Sequence, residues 1–121
     1  MLLVIGGEAS GKENFVRSLG YTDEDISENI MAECPVAIHV DKAMEGHEDY
    51  VDFFYSVLSD KDVVICNEVG SGVIPGETGP RVLREAIGRL TCKLADDADT
   101  VVRMTAGIPM CIKGEMPTGR I

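Results

Sequence analysis

The sequence predicts an α/β fold, a mainly parallel sheet with flanking helices, reduced in size. Short apolar runs such as Leu2 to Ile5 and Val63 to Cys66 read as strands buried on both faces. Between these runs lie stretches whose apolar residues recur at helical spacing. Strands alternating with helices in this way make parallel neighbours joined by right-handed crossovers. With 121 residues the chain has room for one domain, residues 1–121, and it carries no repeat, linker or low-complexity tract.

The first strand, Leu2 to Ile5, is ended by Gly6-Gly7. After Gly11-Lys12, the spacing of Phe15, Val16 and Leu19 predicts a short helix that Gly20 stops. Thr22 followed by Asp23, Glu24 and Asp25 reads as an N-cap with an acidic first turn, so a second helix is expected with Ile26 and Ile30 on one face. Pro35 ends it, and Val36 to Val40 is expected as a strand interrupted by His39. Val51, Phe54, Tyr55 and Leu58 place a helix over Gly46 to Leu58. Asp62 to Asn67 holds a third buried strand, and Glu68 to Gly79, rich in glycine, is a loop. Pro80 opens a helix through Leu83, Ile87, Leu90 and Leu94 to about Ala98. Thr100 to Met104 and Pro109 to Ile112 close the chain as strands separated by Gly107.

Composition narrows the function. Of the side chains 45% are hydrophobic and 26% charged, an ordinary globular balance. Twenty-one acidic against 11 basic residues give a formal charge of −10, which repels a phosphate backbone, so nucleic acid is excluded as a partner while a single nucleotide in a local pocket is not. No apolar run reaches the length of a membrane span, and the N-terminal Met1 to Ile5 stretch lacks the basic flank of a signal peptide, so a cytoplasmic protein is expected. Cys34, Cys66, Cys92 and Cys111 lack the CxxC spacing of a zinc site and are expected as free thiols.

Residues 6 to 12 read GGEASGK, the pattern GxxxxGK between a buried strand and a helix. In such a turn glycines let successive backbone N–H groups point inward at phosphate oxygens, and the lysine ammonium reaches the outer phosphates. Gly6, Gly7, Ser10, Gly11 and Lys12 are therefore the candidate phosphate-binding residues. Glu13 stands where a Ser or Thr would ligate Mg²⁺, and Glu8 adds a second carboxylate. At an effective dielectric of 20, an unneutralised unit charge ~4 Å from a phosphate oxygen costs ~4 kcal/mol. Glu13 can instead ligate the metal directly, because Mg²⁺ accepts carboxylate oxygens.

From Asn67 the chain runs NEVGSGVIP, then Arg81, Arg84, Gly88 and Arg89 in the spacing RxxRxxxGR, then LADDAD from Leu94 and a final hydrophobic strand. Together with the GGxxSGK turn, this resembles the bifunctional adenosylcobinamide kinase and adenosylcobinamide-phosphate guanylyltransferase family of cobalamin biosynthesis. The resemblance covers the first 20 residues and roughly the last 60. It implies a P-loop, RecA-like nucleotide-binding fold and a homo-oligomer, with a trimer suggested. It also implies GTP or ATP with Mg²⁺ as cofactors and a corrinoid as substrate. Such proteins phosphorylate the aminopropanol end of adenosylcobinamide, then transfer GMP from GTP through a guanylyl-histidine. Carried over by position, Lys12, Asp41 and Glu68 become the catalytic candidates, with Asp41 at the end of the Val36 to Val40 strand matched to an acidic residue that contacts nucleotide and metal. Glu13 and Asp41 become the metal candidates.

The chain also departs from that family. Ala9 replaces a frequent Arg, Thr91 a usual Asn, and a segment after the first helix that carries the guanylylated histidine is missing. His39 reads as a packed or edge histidine and His47 as a solvated or capping one. Two readings stay open: a nucleotide-binding enzyme that keeps the kinase half and has lost guanylyl transfer, and a non-catalytic relative acting as a binding or assembly protein.

Overall fold

The computed structural model describes residues 1–68 and 78–121. Six strands form one sheet: β1 (Leu2–Gly6), β2 (Ile26–Ser27), β3 (Val36–Ala37), β4 (Val63–Asn67), β5 (Thr100–Thr105) and β6 (Ile108–Lys113), in the order β2-β3-β4-β1-β5-β6. All neighbours are parallel except β5 and β6, which form an antiparallel hairpin. Ala106 and Gly107 join these two strands with φ of 52° and 78°, the left-handed pair that matches strand twist in a two-residue turn. The helices are α1 (Lys12–Ser18), α2 (Val40–Met44), α3 (Val51–Leu58) and α4 (Thr78–Asp97).

Strand alternation divides the core between the two sheet faces. On one, Leu2, Val4, Ile65 and Val102 pack against Val16, Leu19 and Tyr21. On the other, Leu3, Val64, Cys66 and Val101 pack against Met44, Phe54, Leu58 and the α4 residues Ile87, Leu90 and Leu94. An apolar run without alternation, as in β1 and β4, is what a strand covered on both sides requires.

Two elements differ from expectation. Asp23–Asp25 is a single 3₁₀ turn, not the start of a helix. Thr22 and Asp25 do form a capping box, with the Thr22 N–H donating to the Asp25 carboxylate at 2.8 Å, but Ile26 then pairs with Val36 in the parallel ladder. Ile26 and Ile30 join cores on opposite faces of the sheet, so they share no helix face. Similarly, the expected Val36 to Val40 strand stops at Ala37, because His39 takes the left-handed conformation (φ 56°, ψ 42°) and turns the chain into α2. Val40 and Met44, four residues apart, become the buried positions of that helix.

The expected Gly46 to Leu58 helix is present as a 3₁₀ turn, Glu48–Tyr50, followed by α3. α4 starts two residues ahead of Pro80 and ends at Asp97. Most of the expected Glu68 to Gly79 loop, residues 69–77, lies outside the described residues. All four cysteines are free. Among the described residues, no helix is long and apolar enough to cross a membrane.

Candidate functional site

The glycine turn connects β1 to α1, and its geometry explains its composition. A Cβ on Gly6 would lie 2.5 Å from Ser10 Oγ and 2.7 Å from the Met104 carbonyl oxygen, so the chain can curl there only without a side chain. Gly7 differs: a Cβ would meet nothing within 4 Å. Ala9 (φ 57°) and Gly11 (φ 93°) are left-handed, and Gly11 caps α1. From below, the Gly107 N–H donates to the Ser10 carbonyl at 2.9 Å, which ties the β5–β6 turn to the loop.

At the centre sits Lys12, the one buried charged side chain among the described residues. Its Nζ donates to the Gly7 carbonyl and lies 3.4 Å from Ser10 Oγ. Burial lowers the Lys12 pKa, opposed by the nearby carboxylates of Glu13, Glu8 and Asp41. Glu8 and Ala9 form a tight turn, and the backbone N–H groups of Gly11 through Asn14 have no hydrogen-bond acceptor among the described residues.

These groups open on a pocket of about 480 Å³. Its lining comes from three stretches: the loop and α1 (residues 8–14 and Arg17), the junction of β3 and α2 (Ile38, His39, Asp41, Lys42), and the end of β4 (Ile65, Asn67). All three stand at the carboxyl ends of parallel strands, where α/β sheets place their ligands.

The structure brings most of the expected site residues together. Ser10, Gly11, Lys12, Glu13 and Asp41 line the pocket, while Gly6 and Gly7 shape the turn behind it. Asp41 lies in the first turn of α2, beyond the end of the strand where the sequence put it. Glu68 does not line the pocket; its carboxylate is held by Arg103 through Nε at 2.8 Å and Nη2 at 3.1 Å. His39, expected as a packed or edge histidine, is partly exposed at the pocket with Nε2 3.3 Å from Glu28, while His47 is exposed and outside the lining.

Arg17 and Lys42 were not foreseen. Arg17 had a signal in the sequence, since it lies four residues after Glu13 on one helix face. Lys42 had none beyond adjacency to Asp41.

For a metal, the donor chemistry divides the two expected ligands. Glu13 is paired with Arg17 at 3.3 Å, whereas Asp41 has no ion-pair or hydrogen-bond partner for its carboxylate among the described residues. No group of three or more His, Cys, Asp or Glu side chains able to hold a metal occurs there. Mg²⁺ is commonly held by one or two carboxylates plus substrate phosphates, a set that Asp41 fits. Behind the pocket Cys66 is buried, which pushes its thiol pKa up to about 12 and keeps it an inert core group.

A mostly parallel six-stranded sheet with helices on both faces, and a glycine turn leading from its central strand into a helix, defines an α/β protein of P-loop-like architecture. A profile of the cobinamide kinase / cobinamide phosphate guanyltransferase family matches residues 27–112. The chain belongs to that family. The matched stretch takes in Asp41 and α4, and the glycine turn lies ahead of it. A search of curated proteins finds no match.

Proposed function

We propose that this protein binds a nucleoside triphosphate, GTP or ATP, in the pocket above Lys12 and keeps the kinase half of its family's chemistry, phosphorylating a corrinoid hydroxyl. The observation that carries this reading is the loop: amides from Gly11 to Asn14 with no acceptor among the described residues, curled around a buried ammonium group. A triphosphate satisfies both at once, by accepting the amide hydrogen bonds and countering the Lys12 charge. Asp41 is the residue to hold Mg²⁺ that arrives with the phosphates, where the ion would neutralise charge on the transferring group. Glu68, tied to Arg103, serves to fix the end of β4.

The test is incubation with adenosylcobinamide, Mg²⁺ and ATP or GTP, followed by mass spectrometry of the corrinoid. Phosphorylated product from wild type, lost in Lys12→Ala and Asp41→Asn, supports the kinase. A folded wild type that yields no product favours the non-catalytic binding or assembly protein.

Guanylyl transfer is taken as lost, since the segment that carries the family's histidine is missing. One observation favours the contrary reading: His39 Nε2 stands at the pocket, 3.3 Å from Glu28. A GMP adduct on His39 after incubation with GTP would establish that second reading.

A further inference from the structure

The charge penalty set by Glu13 has a structural answer in Arg17. Every side-chain nitrogen of Arg17 faces an acceptor: Nε donates to Asp23 at 2.7 Å, Nη2 to Glu13 at 3.3 Å and Nη1 to Asn14 at 3.4 Å. Asp23 belongs to the 3₁₀ turn closed by the Thr22 and Asp25 capping box, and Arg120 reaches the same Asp25 carboxylate at 3.1 Å. The turn that presents Asp23 is thus fixed from both sides.

Three of the five N–H donors of this guanidinium are thus already taken by acceptors of this chain. It is well placed to cancel a carboxylate. The pocket is lined by three cations, Lys12, Arg17 and Lys42, and by three carboxylates, Glu8, Glu13 and Asp41. Without Arg17 the lining turns net negative beside the phosphate loop, and without both Arg17 and Glu13 it returns to balance.

We propose that Arg17 is a positioning residue for phosphate binding. Held by Asp23, it draws the Glu13 carboxylate to itself and keeps it off the incoming phosphates. The inference rests on the nucleotide-binding reading above.

A double-mutant cycle tests it. Affinity for GTP, with Mg²⁺ and separately with EDTA, is measured by isothermal titration calorimetry on wild type, Arg17→Ala, Glu13→Gln and the double variant, each checked for folding by circular dichroism. Arg17→Ala should weaken GTP binding tenfold or more in the presence of Glu13. In the Glu13→Gln background the same change should alter affinity less than twofold, a rescue that a merely structural arginine would not show. Equal losses in both backgrounds would overturn the inference, because Arg17 would then act on phosphate or on the fold and not through Glu13. If wild type binds neither GTP nor, in the same titrations, ATP under either condition, the nucleotide-binding reading falls and the inference with it.

Discussion

The Gly107 amide donates to the Ser10 carbonyl at 2.9 Å, so the turn of an edge hairpin supports the glycine turn almost a hundred residues earlier in the chain. The contact needs the left-handed backbone of Gly107, φ 78°. Gly107→Ala places a Cβ in open space but in a disfavoured conformation. It should cost ~1–2 kcal/mol in urea unfolding. An unchanged unfolding midpoint would show that the turn does not depend on this glycine.

Gly6 and Gly7 look equivalent in the sequence but not in the fold. Gly6→Ala forces a Cβ against the Met104 carbonyl oxygen at 2.7 Å, a backbone atom with little room to move. It should destabilise by ~1–3 kcal/mol. Gly7→Ala meets nothing and should stay within ~0.5 kcal/mol of wild type. Chemical denaturation of both variants compares them, and equal losses would contradict the geometry.

Two carboxylates tie stability to acid. The Thr22 amide, helped by the Thr22 hydroxyl and the Arg120 guanidinium, holds the Asp25 carboxyl below its usual pKa. The N-terminal ammonium of Met1, 3.0 Å away, does the same for Asp99. Each contributes stability that is present above the unfolded carboxylate pKa of about 4 and is lost as pH falls through the lower folded value. Urea midpoints should therefore drop between pH 5 and pH 3. Combined Asp25→Asn and Asp99→Asn substitution should make that drop smaller. A drop of the same size in the double variant would assign it to other groups.

Cys66 and Cys92 should separate under alkylation. Burial raises the Cys66 thiol to about 12, while Cys92 is exposed on α4. Iodoacetamide at pH 8 should label Cys92 in the native protein and leave Cys66 unmodified until denaturant is added, as peptide mapping would show. Native labelling of Cys66 would mean that the core beneath the pocket opens readily.

The elements legible in the sequence are those set by local burial. β1 and β4 are apolar without alternation because helices cover both faces, and the spacing of Ile87, Leu90 and Leu94 marks α4. The stretch from Thr22 to Met44 was less legible because long-range pairing decides it. Ile26, next after the Thr22 and Asp25 capping box, pairs with Val36, and His39 adopts a positive φ that no periodicity reveals. The same division runs through the site. Gly6 to Lys12 is contiguous and was legible, and Asp41 was reached through resemblance. Lys42 and His39 enter the pocket only once β3 stands beside β4. The pairing of Glu68 was hidden for a similar reason: its partner Arg103 lies on β5, two strands across the sheet and 35 residues away.

On the proposed function, the curled loop and the Lys12 ammonium receive a triphosphate. The most direct test of this claim is the unfolding free energy of wild type and Lys12→Ala with and without GTP or ATP, each with and without Mg²⁺. A ligand at 100 times its dissociation constant should stabilise wild type by ~2.7 kcal/mol and leave Lys12→Ala unmoved. No stabilisation of wild type by either nucleotide, or equal stabilisation of both proteins, would contradict the claim.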